Sequence, residues 1–418
     1  FSVGNATIFG NQIYDLNSTG TTGGTVGAIT GIRQSAGTTN SIYNNKIYNL
    51  SSTSTGAIIY GINASGGTTN TIYNNIIGDL RATAANVANA IRGIDIASTN
   101  ANVYYNTINL NATSSGAVFG TSALNVSSTT NLDLRNNIFN NTSTANSTGL
   151  AAAYRRSSTT LTSYAAASNN NLFYGSTIFT DGTNTDATLV AFKARVTPRD
   201  TASITENPTF VSTTGSNINF LHIDTAVATQ IESGGTTVSG ITNDFDGNIR
   251  NVTTPDIGAD EFTGVLADFT APTISHTAPT ASCIQGDRVV SATITDASGV
   301  SAGIGLPVAY WRINAGAYIA TTGVDMGAGV YNFTIGSGSV YGDIITYYFV
   351  AQDNAAAPNV AALPLAGAAG FSTNPPAVST APTTPFSTTL LSALSGTYTV
   401  GAAGNYTTLT AAVNDFNI

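Results

Sequence analysis

Carboxylates at close spacing bind cations or move protons, and the densest set in this chain is Asp244, Asp246, Asp256, Asp260 and Glu261. They sit in the strings Asp244-Phe245-Asp246-Gly247-Asn248-Ile249-Arg250 and Asp256-Ile257-Gly258-Ala259-Asp260-Glu261-Phe262. Asp-x-Asp-Gly-Asn offers alternating oxygens, as a Ca²⁺ loop does, but Gly247 directly follows the second aspartate, which departs from EF-hand spacing. The expected role is hydrogen-bonded turns with an ion pair to Arg250, with structural Ca²⁺ as the alternative and no other cofactor. His222 and His276 belong to no partner motif, so neither is expected to ligate a metal.

A second set, Asp79, Arg81, Arg92 and Asp95, is placed to gather on adjacent strands. Cleaving acidic polysaccharides by elimination needs clustered carboxylates for Ca²⁺ and a basic Lys or Arg. Hydrolysis needs paired carboxylates about 5 or about 6.5–9.5 Å apart. Up to residue 175 the acidic residues are Asp15, Asp79, Asp95 and Asp133, and no motif holds two of them. Asp15, Asn49 and Asp79 share one repeat position, which suits a bend better than catalysis. A solvated ion-pair cluster is the expectation, and no catalytic residue is assigned.

Composition narrows the partners. Only 8% of the 418 residues are charged, against about 25% in an average domain, and Thr, Ser, Asn and Gly take their place. The net charge of −9, with Arg155-Arg156 the sole basic doublet, argues against nucleic acid. Cys283 is the only cysteine, which excludes an intramolecular disulfide and reads as a small buried hydrophobe. No apolar run approaches the ~20 residues of a membrane helix; the nearest, Ala361 to Phe371, contains Pro364.

The elements that position these side chains repeat. Ile8-Phe9-Gly10-Asn11-Gln12-Ile13 aligns with Ile42-Tyr43-Asn44-Asn45-Lys46-Ile47 and Ile72-Tyr73-Asn74-Asn75-Ile76-Ile77. Looser copies hold Asn106 and Asn137, and a further one holds Asn170-Asn171. A second motif ends in Gly31-Ile32, Gly61-Ile62 and Gly93-Ile94. Short alternating runs split by Gly, Asn, Ser and Thr, repeated about every thirty residues, predict one β-solenoid coil per unit. Asn tolerates the left-handed backbone of a bend, and equivalent Asn side chains on coils ~4.8 Å apart are placed to form a hydrogen-bonded ladder.

Repeats of apolar-Tyr-Asn-Asn-x-Ile resemble the coils of pectate-lyase-like right-handed parallel β-helix proteins. The later succession is similar to the closing part of β-helix domains on large surface proteins of the Bacteroidota: helix-like Leu189–Lys193, Glu206-Asn207-Pro208, Phe220-Leu221-His222-Ile223, then the two acidic strings. The resemblance covers residues 1–262. Asp200-Thr201-Ala202 and Asp224-Thr225-Ala226 resemble the Asp-Thr-Ala acceptor for O-glycosylation in those bacteria. Flat Thr-x-Thr arrays of ice-binding solenoids are absent.

Residues 263–370 change rhythm. Runs at Val289–Ile294, Val308–Ile313, Val330–Ile335 and Ile344–Ala351 predict an all-β sandwich, resembling bacterial immunoglobulin-like or fibronectin-type modules, with Trp311 in its core rather than offered to glycans. Residues 371–395 read as a Pro/Ser/Thr linker, and 396–418 as the cap of a following β-helix. Such an arrangement implies a tandem array within a longer, exported, cell-surface polypeptide, by the type IX route in Bacteroidota, with gliding-motility adhesins as one candidate identity. Its partners would be surface glycans, other cells or further repeats of the same polypeptide. The alternative is a polysaccharide lyase or glycoside hydrolase.

Overall fold

Each repeat folds because its apolar residues fall on one side of short strands and its Asn and Gly residues at the bends between them. The computed structural model describes residues 5–20, 28–127, 130–281, 283, 285–365, 370–392 and 396–416. They divide into two units, Phe1–Leu266 and Ala267–Ile418.

The first unit contains a β-solenoid of about five turns over residues 7–175. Sheet A stacks Thr7–Phe9, Thr39–Tyr43, Thr69–Tyr73, Asn100–Tyr104 and Asn131–Arg135 in parallel. Sheet B runs from Gln12–Ile13 through Lys46–Ile47, Ile76–Gly78, Thr107–Leu110 and Ile138–Asn141 to Leu172–Gly175. Sheet D stacks Ile29–Gln34, Ile59–Ala64, Val87–Ile96, Phe119–Val126, Ala151–Arg156 and Thr177–Thr180. A short sheet C, Leu16–Ser18, Leu50–Ser52 and Leu80–Ala82, adds a fourth side to the early coils.

In-register pairing turns each apolar position into a column. Ile42, Ile72, Val103 and Leu134 line one wall, and Ile47, Ile77, Ile108, Phe139 and Phe173 another. All are buried. Side-chain period two also separates the basic doublet: Arg155 faces outward to Ser122, whereas Arg156 is buried against Tyr154 and Tyr164. Gly31, Gly61 and Gly93 stack where a Cβ on Gly61 would lie 2.6 Å from Gly93 O and 2.6 Å from Ile77 Cγ2.

The expected ladder is present, and it is internal from Asn45 onward. Asn11, Asn45, Asn75, Asn106 and Asn137 each donate from Nδ2 to Oδ1 of the next, ending at Asn171, every link 2.9 Å long. The residue before each of the first six ladder positions has positive φ: Gly10, Asn44, Asn74, Tyr105, Asn136 and Asn170. Asp15, Asn49 and Asp79 are likewise left-handed, at φ 55°, 52° and 53°, the bend role read from their shared repeat position. Helix α1 (Leu189–Val196), N-capped by Thr188, lays Leu189, Phe192 and Val196 over the last coils, where Phe192 meets Tyr154, Phe173 and Phe179.

Among the described residues, the second unit has two larger antiparallel sheets and a small one that pairs Phe371–Ser372 with Ala377–Val378. One larger sheet pairs Thr273–His276, Arg288–Thr295, Val330–Ile335 and Val324–Asp325; the other pairs Ile319–Thr322, Val308–Ile313, Ile344–Gln352 and Val360–Leu363. Their inward residues, among them Ile294, Trp311, Phe333, Tyr347 and Phe349, form one core. Trp311 is buried and donates to Thr321 Oγ1, so it offers no face to a glycan.

Two expectations are corrected here. The stretch read as a linker contributes Phe386–Thr389, which pairs with Ile344–Gln352, and Leu390 is fully buried. Its prolines all precede this strand rather than interrupt it, and Phe386 packs on Tyr347 and Phe349. Cys283 is partly exposed rather than buried, because it precedes the strand Arg288–Thr295 instead of lying on it.

Candidate functional site

Residues 204–262 fold back as irregular chain on the outer face of sheet B. That face is apolar because Ile76, Ile138 and Leu172 point outward beside inward Ile77, Phe139 and Phe173. Phe220, Leu221 and Ala259 cover Ile76 and Tyr48; Ile223, Ile231 and Ile257 cover Ile138 and Leu172. The left-handed bend residues double as docking points. Asn74 donates to Asn243 O, Tyr105 and Asn136 to Thr236 O, and Asn170 to Gly234 O. Arg250 is buried with its guanidinium 3.9 Å from the Tyr105 ring centroid and donates to Asn74 Oδ1, Gly258 O, Ala259 O and Glu261.

The five carboxylates are brought into this segment but hold different partners. Asp244 is fully buried and accepts the N–H groups of Asp246, Asn248 and Glu261 and the Asn248 amide. Asp256 accepts Ser233 N and Phe262 N, and Glu261 accepts Asn251 N, Asp256 N and Arg250. Oxygens engaged by this many donors are loop staples; they do not converge as the six to eight free oxygens that Ca²⁺ takes. The remaining two, Asp246 and Asp260, meet His222 instead. His222 Nε2 lies 2.6 Å from Asp246 Oδ2, a partner that sequence spacing did not reveal because the loop between them closes only on sheet B.

Asp79, Arg81, Arg92 and Asp95 form two separate ion pairs rather than one cluster. Arg81 bonds Asp79 and Asn49, while Arg92 bonds Asp95, which also accepts Asn63 and Asn125. Asp15 and Asp79, two coils apart, line a cleft of about 270 Å³ with Tyr14, Tyr48 and Asn49. Glu232, Asp256 and Glu261 border a second, of about 600 Å³. Both Asp-Thr-Ala threonines, Thr201 and Thr225, are exposed. In the second unit His276 sits between Ser291 O and the Tyr347 hydroxyl, and burial lowers its pKa. Asp268, Asp296 and Asp353 approach one another there, each accepting N–H groups of its own turn.

The ladder ends on Asp200, which accepts Asn171, Ser203 and the Tyr164 hydroxyl in full burial. Desolvation pushes its pKa up to about 6, and that of Asp256 to about 7. Carboxyls whose folded pKa exceeds the unfolded value stabilise fully below about pH 4, and this contribution is lost as pH rises through 6–7. A shift of about two units is about 3 kcal/mol, so the first unit should melt about 5–10 °C lower at pH 8 than at pH 5. His276 acts oppositely: its depressed pKa stabilises the second unit above about pH 6.5, and this is lost as pH falls. Circular dichroism melts, with Trp311 fluorescence reporting the second unit alone, check this; a first-unit midpoint that stays flat or rises with pH contradicts it.

No family model matches the chain, and no curated protein is similar to it in sequence. No described helix is long and apolar enough to cross a membrane.

Proposed function

We propose that this chain is a non-catalytic structural and adhesive segment of a large bacterial surface protein: a right-handed parallel β-helix acting as a stiff stalk, followed by an immunoglobulin-like spacer. The observation that carries this reading is the uninterrupted Asn ladder, flanked by stacked apolar columns. Bending such a rod must stretch hydrogen bonds on every coil at once. Its outer surface, low in charge and rich in Thr, Asn and stacked Phe9, Tyr43 and Tyr73, suits contact with glycans or other cells. Residues 396–416, with helix α2 (Leu409–Phe416), are read as the start of another β-helix. Export by the type IX route to a Bacteroidota cell surface, and a part in gliding motility, are the finer proposals.

The test is the size and location of the native polypeptide, probed with antibody on denaturing gels of cells and culture fluid. A surface-bound band of several hundred kilodaltons is expected. A soluble band near 42.5 kDa would overturn the stalk.

One observation favours an enzyme as second reading: Asp15 and Asp79, two carboxylates on coils of one face, line the same cleft. Incubation with acidic and neutral polysaccharides, with and without Ca²⁺, decides it. New chain ends that disappear in Asp79→Ala would establish the enzyme.

A further inference from the structure

We infer that His222, Asp246 and Asp260 form a binding site for one divalent transition-metal ion of the Zn²⁺ class. The residues come from separate turns of the closing segment, yet one ligand atom from each lies within 4.8 Å of the others.

The imidazole carries the argument. Its Nδ1 is 3.3 Å from Phe220 O and its Nε2 is 2.6 Å from Asp246 Oδ2, and both neighbours are acceptors. A neutral ring has a single N–H, so it leaves one lone pair facing an oxygen lone pair. The geometry therefore favours positive charge on the ring or beside it at Nε2. A proton supplies it, and so does a metal, with Nδ1–H then donating to a backbone carbonyl as metal-bound histidines do.

Asp260 supplies an independent observation. It is 7% exposed, and its only hydrogen bond among the described residues is a long one, 3.3 Å, from Ile223 N. Asp244, fully buried in the same segment, has four donors. A buried carboxylate with so little compensation is costly unless a cation lies beside it. One imidazole and two carboxylates suit Zn²⁺, Mn²⁺ or Co²⁺ better than Ca²⁺, which takes oxygens.

Little rearrangement is required. Ligand distances of about 2.0–2.2 Å place tetrahedral donors roughly 3.3–3.5 Å apart. The Asp246 side chain is 39% exposed and can draw back by the needed fraction of an ångström. Lys46 faces the same group, near enough for its charge to act on Asp246, but its Nζ is held by Asn217 O at 2.7 Å. A bound ion would clamp the turns at 222, 246 and 260 together and leave a fourth position open to water.

The experiment is titration of the full, chelator-treated chain with Zn²⁺ by calorimetry at pH 7.5, with Co²⁺ absorption as a second readout. One ion per chain is expected. His222→Ala and Asp246→Asn should each weaken binding at least about tenfold, the scale on which metal-site substitutions act. His276→Ala, at the other histidine of the chain, should leave it unchanged. Asp246 is exposed, so its variant reports on binding even if the His222 variant is destabilised. No saturable Zn²⁺ uptake, or uptake undiminished in both variants, overturns the site.

Discussion

Replacing Asn106 by alanine is expected to destabilise the first unit by about 3–5 kcal/mol, although no charge or apolar contact is removed. The Asn106 side chain donates to Ile72 O, Tyr104 O and Asn137 Oδ1, and accepts from Asn75 N and Asn75 Nδ2, all in the interior. Alanine leaves the Asn75 N–H unpaired where water cannot reach, and takes a donor from Ile72 O and from Tyr104 O, which keeps only a 3.3 Å bond from Asn74 N. Each buried orphan costs about 1–3 kcal/mol, and rearrangement recovers little, because the neighbouring coils hold the positions. Asn106→Asp should be no better, since a carboxylate cannot donate to the two carbonyls and would be buried with a charge. The outward Asn102 is the control. Its Nδ2 makes one long bond to Thr71 Oγ1, and Asn102→Ala should cost under about 1 kcal/mol. Thermal melts of the full chain check this. A fall of roughly 8–15 °C is expected for Asn106→Ala, against little change for Asn102→Ala; equal, small shifts would show the ladder to be incidental.

The ladder was legible because it obeys a period. Asn45, Asn75, Asn106 and Asn137 recur with apolar neighbours at fixed offsets, and in-register stacking makes any such recurrence a column. The bends followed by the same logic, including the left-handed Asp15, Asn49 and Asp79. Tyr105 shows where type alone misleads: an aromatic residue occupies the left-handed position that Asn fills elsewhere, held by Thr236 O and the Arg250 guanidinium. The four longer strands of the second unit were equally legible from alternation, but the short Ile319–Thr322, Val324–Asp325 and Val360–Leu363 were not, nor was Phe386–Thr389, where surrounding proline and threonine masked a strand that exists only through its partner.

The closing segment was legible as a unit but not as a cover. It has no period, and its docking bonds to the coils reach back 64 to 176 residues, so nothing local encodes them. One signal was available. Adjacent apolar residues such as Ile76-Ile77, Ile138-Phe139 and Leu172-Phe173 break strict alternation, which means that both faces of sheet B are buried. The His222–Asp246 pairing lay outside such reasoning, because two loops that meet on a third surface leave no trace in spacing. Carboxylate spacing alone left structural Ca²⁺ as an alternative to hydrogen-bonded turns, whereas the partners of each carboxylate are decided by the backbone donors that surround it.

Arg250→Ala is expected to detach that cover while the coils stay intact. The guanidinium joins the segment to the solenoid at Asn74 and to itself at Gly258, Ala259 and Glu261, and its planar face lies on Tyr105. Removing one partner of a buried ion pair costs about 3–5 kcal/mol, because the acceptors stay behind unpaired. Lysine cannot substitute: its single ammonium reaches one acceptor cluster and lacks the planar fork that serves several at once. Hydrogen exchange separates local from global loss. At about 1.4 kcal/mol per tenfold, amides of residues 231–262 should exchange roughly 10²–10³ faster in Arg250→Ala, while Asn75 and Asn106 N–H, bonded only within the ladder, keep their protection. If those ladder amides accelerate equally, the solenoid needs its cover to fold, and the stiffness attributed to the coils belongs to the two layers together. If they do not, the coils form a self-sufficient rod, and the irregular layer is a separable surface whose chemistry can change without softening the stalk.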